Sequence, residues 1–98
     1  MILVLGEILT KPDTMLDALA LSLEHVHRSR EEPGCISHDV AQDTENPQRL
    51  MFTERWSDTA ALRTHFAVPA SRAFVKGLAP LLASQPSMHV FDASEVKV

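Results

Sequence analysis

Residues 32–66 read EPGCISHDVAQDTENPQRLMFTERWSDTAALRTHF, and residues 69–74 read PASRAF. Two strand-like runs meet here at a polar turn. Cys35 to Gln42 alternates, with Ile36, His38 and Val40 on one face and Cys35, Ser37, Asp39 and Ala41 on the other. Asp43-Thr44-Glu45-Asn46-Pro47 is a turn by composition. Arg49 to Trp56 is the next strand, with Leu50, Phe52, Glu54 and Trp56 sharing a face. Ser57 or Asp58 then caps a short helix, through about Phe66, that carries Leu62 and His65. The only tryptophan and an imidazole therefore meet at the edge of a sheet under a helix, where a small protein can hollow out a ligand pocket.

Upstream, Ile2 to Leu9 is apolar and rich in branched residues, which suits a central strand. Glu7 interrupts it, and no basic start precedes it, so it reads as a strand and not as a signal peptide. Lys11-Pro12-Asp13-Thr14 opens a helix, with Thr14 and Asp17 placed for a reciprocal cap. Leu16, Leu19, Leu23 and Val26 fall at helical spacing and are expected to form its buried face, and Pro33-Gly34 stops it. Downstream, Pro69 fits the first turn of a further helix in which Phe74, Leu78 and Leu81 line up, weakened by Gly77 and Pro80. Met88 to Val96 is a last strand. The order of strand, helix, two strands, helix pair and strand predicts an α+β fold: a ferredoxin-like split βαβ with a four-stranded antiparallel sheet, in one domain over residues 1–98.

The helices can cover only one face of that sheet. The first strand is nevertheless apolar on both, with Ile2, Val4 and Ile8 on one side and Leu3, Leu5 and Leu9 on the other. At roughly 25 cal/mol per Å² of apolar surface, a wet second face forfeits several kcal/mol. A second copy is the natural cover, so the chain is expected to be a homodimer forming a dimeric α/β barrel. Glu7 and Glu54 need partners, for which Arg49 and Arg55 are at hand.

Composition excludes several classes. The formal charge is −4 and the nine Lys and Arg residues form no basic stripe, which argues against nucleic acid as a partner. No window spans a membrane, and the expected location is cytoplasmic. Cys35 is the only cysteine, so no CxxC metal site exists; it reads as a small buried residue. His25 and His27 lie two apart on a helix, point away from each other and are expected to face solvent. No metal is expected.

Glu32-Pro33-Gly34-Cys35, Glu54-Arg55-Trp56, Ala61-Leu62 followed by His65, and Pro69 with Phe74 together resemble the antibiotic biosynthesis monooxygenase domain family. The resemblance covers nearly the whole chain. It implies a dimeric barrel and an oxygenase that uses no cofactor, acting on polyketide anthrones or quinols. It implies a functional role for Trp56, which matches the tryptophan that ends the third strand. Phe52, Leu62 and Val75 stand where the anthrone oxygenases carry asparagine, tyrosine and arginine. Val75 and Ile8 also stand where the haem-degrading branch has its axial histidine and an asparagine, so haem degradation is not expected.

The site read from these residues places Trp56 and His65 as catalytic, and Phe52, His38, Leu62 and Val75 as substrate-binding. Trp56 is either core packing at the junction of sheet and helix or an aromatic wall for a flat phenol. His65 is either a surface or capping residue or the base that deprotonates a phenol, which a phenolate's readier electron transfer to dioxygen requires. Glu54 is expected to be paired structurally. The function expected is a cofactor-independent monooxygenase of an electron-rich aromatic such as a quinol, phenol or anthrone, with dioxygen as co-substrate. The alternative is a dimeric protein of the same fold that binds or senses a small aromatic molecule without turning it over.

Overall fold

A computed structural model describes residues 1–98. β1 spans Ile2–Leu9, α1 Met15–Ser29, β2 Cys35–Gln42, β3 Arg49–Trp56, α2 Thr59–Ala67, α3 Pro69–Leu78 and β4 Ser87–Asp92, with a 3-10 turn at Ala79–Leu81. The strands form one antiparallel sheet in the order β2-β3-β1-β4. That order is what two split βαβ halves produce, and the ferredoxin-like α+β class stands. β1 is central because its side chains meet β3 and β4 as neighbours. Ile2, Val4 and Ile8 pair with Trp56, Glu54 and Leu50 of β3 on the helix side. β4 stops at Asp92, short of the expected Val96; Asp92 pairs with Ile2, and beyond it only Met1 remains to bond Ala93.

The helix-side core divides in two. Ile8, Ala18, Val26, Leu50, Phe52 and Leu78 form one cluster. Ile2, Val4, Trp56 and Leu62 form the other. On β3 the division falls at Glu54, the buried carboxylate between Phe52 and Trp56. A charge that cannot leave the core must gather polar partners there, and those partners make the site.

The buried face of α1 is not the one its leucines indicate. Leu16 is 81% exposed and Leu23 40% exposed, whereas Ala18, Ser22, His25, Val26 and Ser29 are buried. Small residues let the helix approach the sheet closely. The hydroxyls of Ser22 and Ser29 are satisfied without a distant partner, donating to the carbonyls of Ala18 at 2.7 Å and His25 at 2.6 Å. The expected reciprocal cap at Thr14 does not form either. Its Oγ1 donates to the Leu81 carbonyl at 2.7 Å and so ties the start of α1 to the 3-10 turn. Asp58, by contrast, caps α2 by accepting from Ala61 N at 2.8 Å. Gly34 is required at the start of β2, since its φ is 83° and an added Cβ would sit 2.5 Å from that of Ala61.

The opposite sheet face carries Leu3, Leu5 and Leu9 of β1 and Phe91 of β4, which pairs with Leu3. Leu5 is 42% exposed and Phe91 47% exposed. Glu7 on this side pairs with Arg49, which also reaches Asp43 at 2.9 Å. No helix is long and apolar enough to cross a membrane.

Candidate active site

Glu54 takes neither of the arginines expected for it. Its Oε1 accepts the indole N–H of Trp56 at 2.9 Å, and Nε2 of His38 stands 3.2 Å away, too far off line for an aligned hydrogen bond. Arg55 donates to Ser37 instead, at 2.8 Å. Burial works against the Glu54 carboxylate, but the His38 contact and the Trp56 N–H outweigh it, and its carboxyl lies below the ordinary value.

Three imidazoles surround this point, and they come from three different elements. His38 is on β2, facing the helices opposite Glu54. His65 is on α2 and only 3% exposed. His25, expected in solvent, is 5% exposed on α1, while His27 does face solvent. Ring centroids lie 5.2 Å apart for His25 with His38 and with His65, and 5.5 Å apart for His38 with His65.

Each ring is fixed differently. The Nδ1–H of His65 donates to Glu32 Oε1 at 2.9 Å, since a carboxylate can only accept. Trp56 packs against the same ring at 4.6 Å between centroids. The Nδ1 of His25 faces the Arg28 guanidinium at 2.7 Å, and Phe74 stacks on its plane at 4.0 Å and 8°. Burial first, then the neighbouring His38 and His65 and the Arg28 charge, lower its pKa to about 3. His38 is fully buried, and neither of its ring nitrogens has an aligned partner. The buried side-chain atoms left without a partner are those two, Arg28 Nε and Glu32 Oε2, all in this one cluster. Unmet polar groups are avoided elsewhere in the core, so their concentration here makes this cluster the candidate functional centre.

The cluster opens onto a cavity of about 570 Å³, largely apolar, between the sheet and α3. His25, His65, Phe52, Phe74 and Val75 line it, with Met88 of β4 at its edge. Of the residues expected in the site, His65, Phe52 and Val75 therefore face the cavity. Trp56, Leu62 and His38 do not. Trp56 and Leu62 pack with Ile2 and Val4, and His38 is sealed behind the other two rings. Trp56 is thus no open wall; it backs His65 and binds Glu54. Glu32, His25 and Arg28 were missed by sequence reasoning. A local signal existed for His25 alone, because it continues the Ala18, Ser22 and Ser29 stripe at helical spacing.

Cys35 is disfavoured as a thiolate. It is half-buried, and burial, followed by the charges of Glu54 and Glu32, pushes its thiol up. A metal ion would use His25, His38 and His65, one nitrogen of each lying within 4.8 Å of the others. Coordination at about 2.0–2.1 Å per bond needs those nitrogens closer than about 4.2 Å. It also requires His25 to shed its remaining proton or break with Arg28. His25 and His65 are held by Arg28 and Glu32, and the three rings would have to close in to bind an ion.

Comparison with known proteins fits this fold. The model of the family described as antibiotic biosynthesis monooxygenase matches residues 1–77. An uncharacterized protein of Synechocystis sp., sll1783, is 35% identical over 96 residues, which are 98% of this chain and 65% of that protein, so the chain spans about two-thirds of the relative's length. A crystal structure described as an antibiotic biosynthesis monooxygenase superposes with a TM-score of 0.90 at 28% identity, covering 97% of this chain and 100% of the other. Rv0793 of Mycobacterium tuberculosis shares the fold, with a TM-score of 0.91 at 22% identity over 99% of this chain and 98% of its own. A protein from Deinococcus radiodurans does so with a TM-score of 0.94 at 22% identity, over 100% and 97% of the two chains. The chain belongs to the antibiotic biosynthesis monooxygenase family.

Proposed function

We propose that this protein is a monooxygenase of an electron-rich aromatic, a phenol, quinol or anthrone, that takes its electrons from the substrate and needs no cofactor. The observation that carries the reading is the Glu32–His65 pair, in which the buried His65 stands at the wall of an apolar cavity. A base oriented by a carboxylate, facing a volume of about 570 Å³, suits removal of a proton from a flat ligand. The Nε2 of His65, the nitrogen not engaged by Glu32, takes the phenolic proton. Phe52 and Phe74, edge to face at 6.3 Å, offer the aromatic surface against which the ring lies.

The steps balance without an external reductant. The phenolate gives one electron to dioxygen, and the resulting radicals join as a carbon–oxygen bond. His65 returns its proton to the peroxide. It then accepts the hydrogen on that carbon as a proton while the O–O bond breaks, and the departing hydroxide takes this proton to become water. The substrate loses four electrons and dioxygen gains four. One quinone and one water form per dioxygen.

The dimer belongs to the same proposal. Leu3, Leu5, Leu9 and Phe91 form a face that no helix of the chain covers, and a second copy is its self-complementary cover. Oxygen uptake by the pure protein with a panel of quinols and anthrones tests the activity. Uptake that His65→Ala abolishes supports it, and uptake unchanged in that variant removes the assigned role. A ligand that raises the melting temperature with no oxygen consumed moves the protein to the binding or sensing role.

A further inference from the structure

We propose that His25 is a second catalytic residue, whose Nε2–H donates to the substrate oxygen that His65 deprotonates and holds the resulting oxyanion. The inference rests on the phenolic reading of the pocket given above.

It begins with Arg28. A guanidinium has only donors, so at 2.7 Å the Nδ1 of His25 must be the acceptor. In a neutral ring the proton then belongs to Nε2. No protein group receives that proton, and Nε2 is not among the sealed, unpartnered atoms of the cluster. We assign that proton to the cavity that His25 lines. Phe74 fixes the plane of the ring by stacking. Arg28 is held in turn by donating to Ser71 Oγ at 3.3 Å, so the tautomer is imposed from a second helix. Burial keeps the ring neutral, with its pKa at about 3, and the donor persists across the physiological range.

His65 has the opposite arrangement. Its Nδ1–H is spent on Glu32, which leaves Nε2 as an acceptor. The two rings thus present a donor and an acceptor toward one cavity, with environments that separate their roles. The spacing suits a shared oxygen. One atom held by two hydrogen bonds of about 2.8 Å can bridge nitrogens up to about 5.6 Å apart. The ring centroids of His25 and His65 are 5.2 Å apart, and one nitrogen of each ring lies within 4.8 Å of the other. A fixed donor aimed where charge develops stabilises the phenolate without reorganisation when the proton leaves.

The probe is 4-nitrophenol, whose ionised form absorbs visible light. Its affinity and its ionisation when bound are measured with the wild-type protein, His25→Leu and His25→Gln. The expected result is that His25→Leu binds the probe within threefold of wild type but loses about tenfold in the ionisation constant of the bound phenol, and that His25→Gln, which keeps a donor, restores most of it. Equal ionisation in wild type and His25→Leu, with binding intact, overturns the role of His25 and leaves the pocket reading standing. Failure of the wild type to bind any phenol overturns both. Nitrogen NMR of the folded protein gives a ligand-free check: an Nε2–H tautomer at His25 that Arg28→Met relaxes supports the proposal, and an Nδ1–H tautomer in the wild type overturns it.

Discussion

Glu32 Oε1 stands 2.9 Å from His65 Nδ1, joining the turn after α1 to the last part of α2 across 33 residues of chain. The pair is nearly dry, with side-chain exposures of 15% and 3%. A carboxylate there fixes the imidazole's tautomer and stabilises the imidazolium formed when it takes a proton. Glu32→Gln keeps the shape and removes the charge. Steady-state oxygen uptake should show kcat down about hundredfold with KM within threefold. A fall in affinity alone would mean that Glu32 shapes the pocket and does not serve the base.

Acid should unfold this protein through His25. A histidine whose folded pKa is lowered binds its proton more readily when unfolded. Its contribution is therefore fully present above the unfolded value of about 6.5 and is lost progressively as pH falls toward about 3. Between pH 7 and pH 5 the wild type should lose about 2 kcal/mol more than His25→Leu, read from urea midpoints at the two pH values. Parallel losses would show that His25 is not neutral in the fold. Glu54 acts in the same direction at lower pH. Its folded carboxyl lies below the ordinary value, so its contribution is present above the unfolded pKa and goes as pH falls through the folded one.

Gly34 should tolerate no side chain. Its positive φ opposes substitution, and so does the 2.5 Å separation that an added Cβ would have from Ala61. Its carbonyl also receives Ser57 N at 2.8 Å, which holds the turn in place. Gly34→Ala should cost about 3 kcal/mol in chemical denaturation. A cost below about 0.5 kcal/mol would show that the turn yields easily.

The strands were legible in the sequence because their pattern is local. Alternation in residues 35–42 and 49–56, a polar turn between them and an apolar first strand are enough to order the sheet. The helix α1 was not, because leucines at helical spacing indicate an apolar face wherever it points. Leu16 and Leu23 turn outward, and the stripe of Ala18, Ser22 and Ser29 that packs inward carries little hydrophobicity. His65 and Phe52 could be placed from their strand and helix positions. Glu32 and Arg28 could not, since each acquires its role by meeting a histidine whose orientation depends on the assembled core. The partners of Glu54 were misjudged for a related reason. Arg55 is adjacent in sequence but on the other face of the strand, whereas Trp56, two residues on, shares its face.

The open sheet face should hold two copies together. Leu5→Lys or Phe91→Lys would bury a charge in such an interface. Either variant should sediment as a monomer at concentrations where the wild type is a dimer, and should lose thermal stability that the isolated fold does not depend on. A monomeric wild type in dilute buffer would remove the barrel from the account.

Proton removal by His65 is the step on which the oxygenase reading depends. Its most direct test is a single turnover of an active quinol or anthrone under isotopically labelled dioxygen, with wild type and His65→Gln compared side by side. The wild type should place one labelled atom in the product and the other in water, and the variant should form product at least about hundredfold more slowly while binding a substrate analogue within threefold. A variant that incorporates labelled oxygen at the wild-type rate would contradict the assignment.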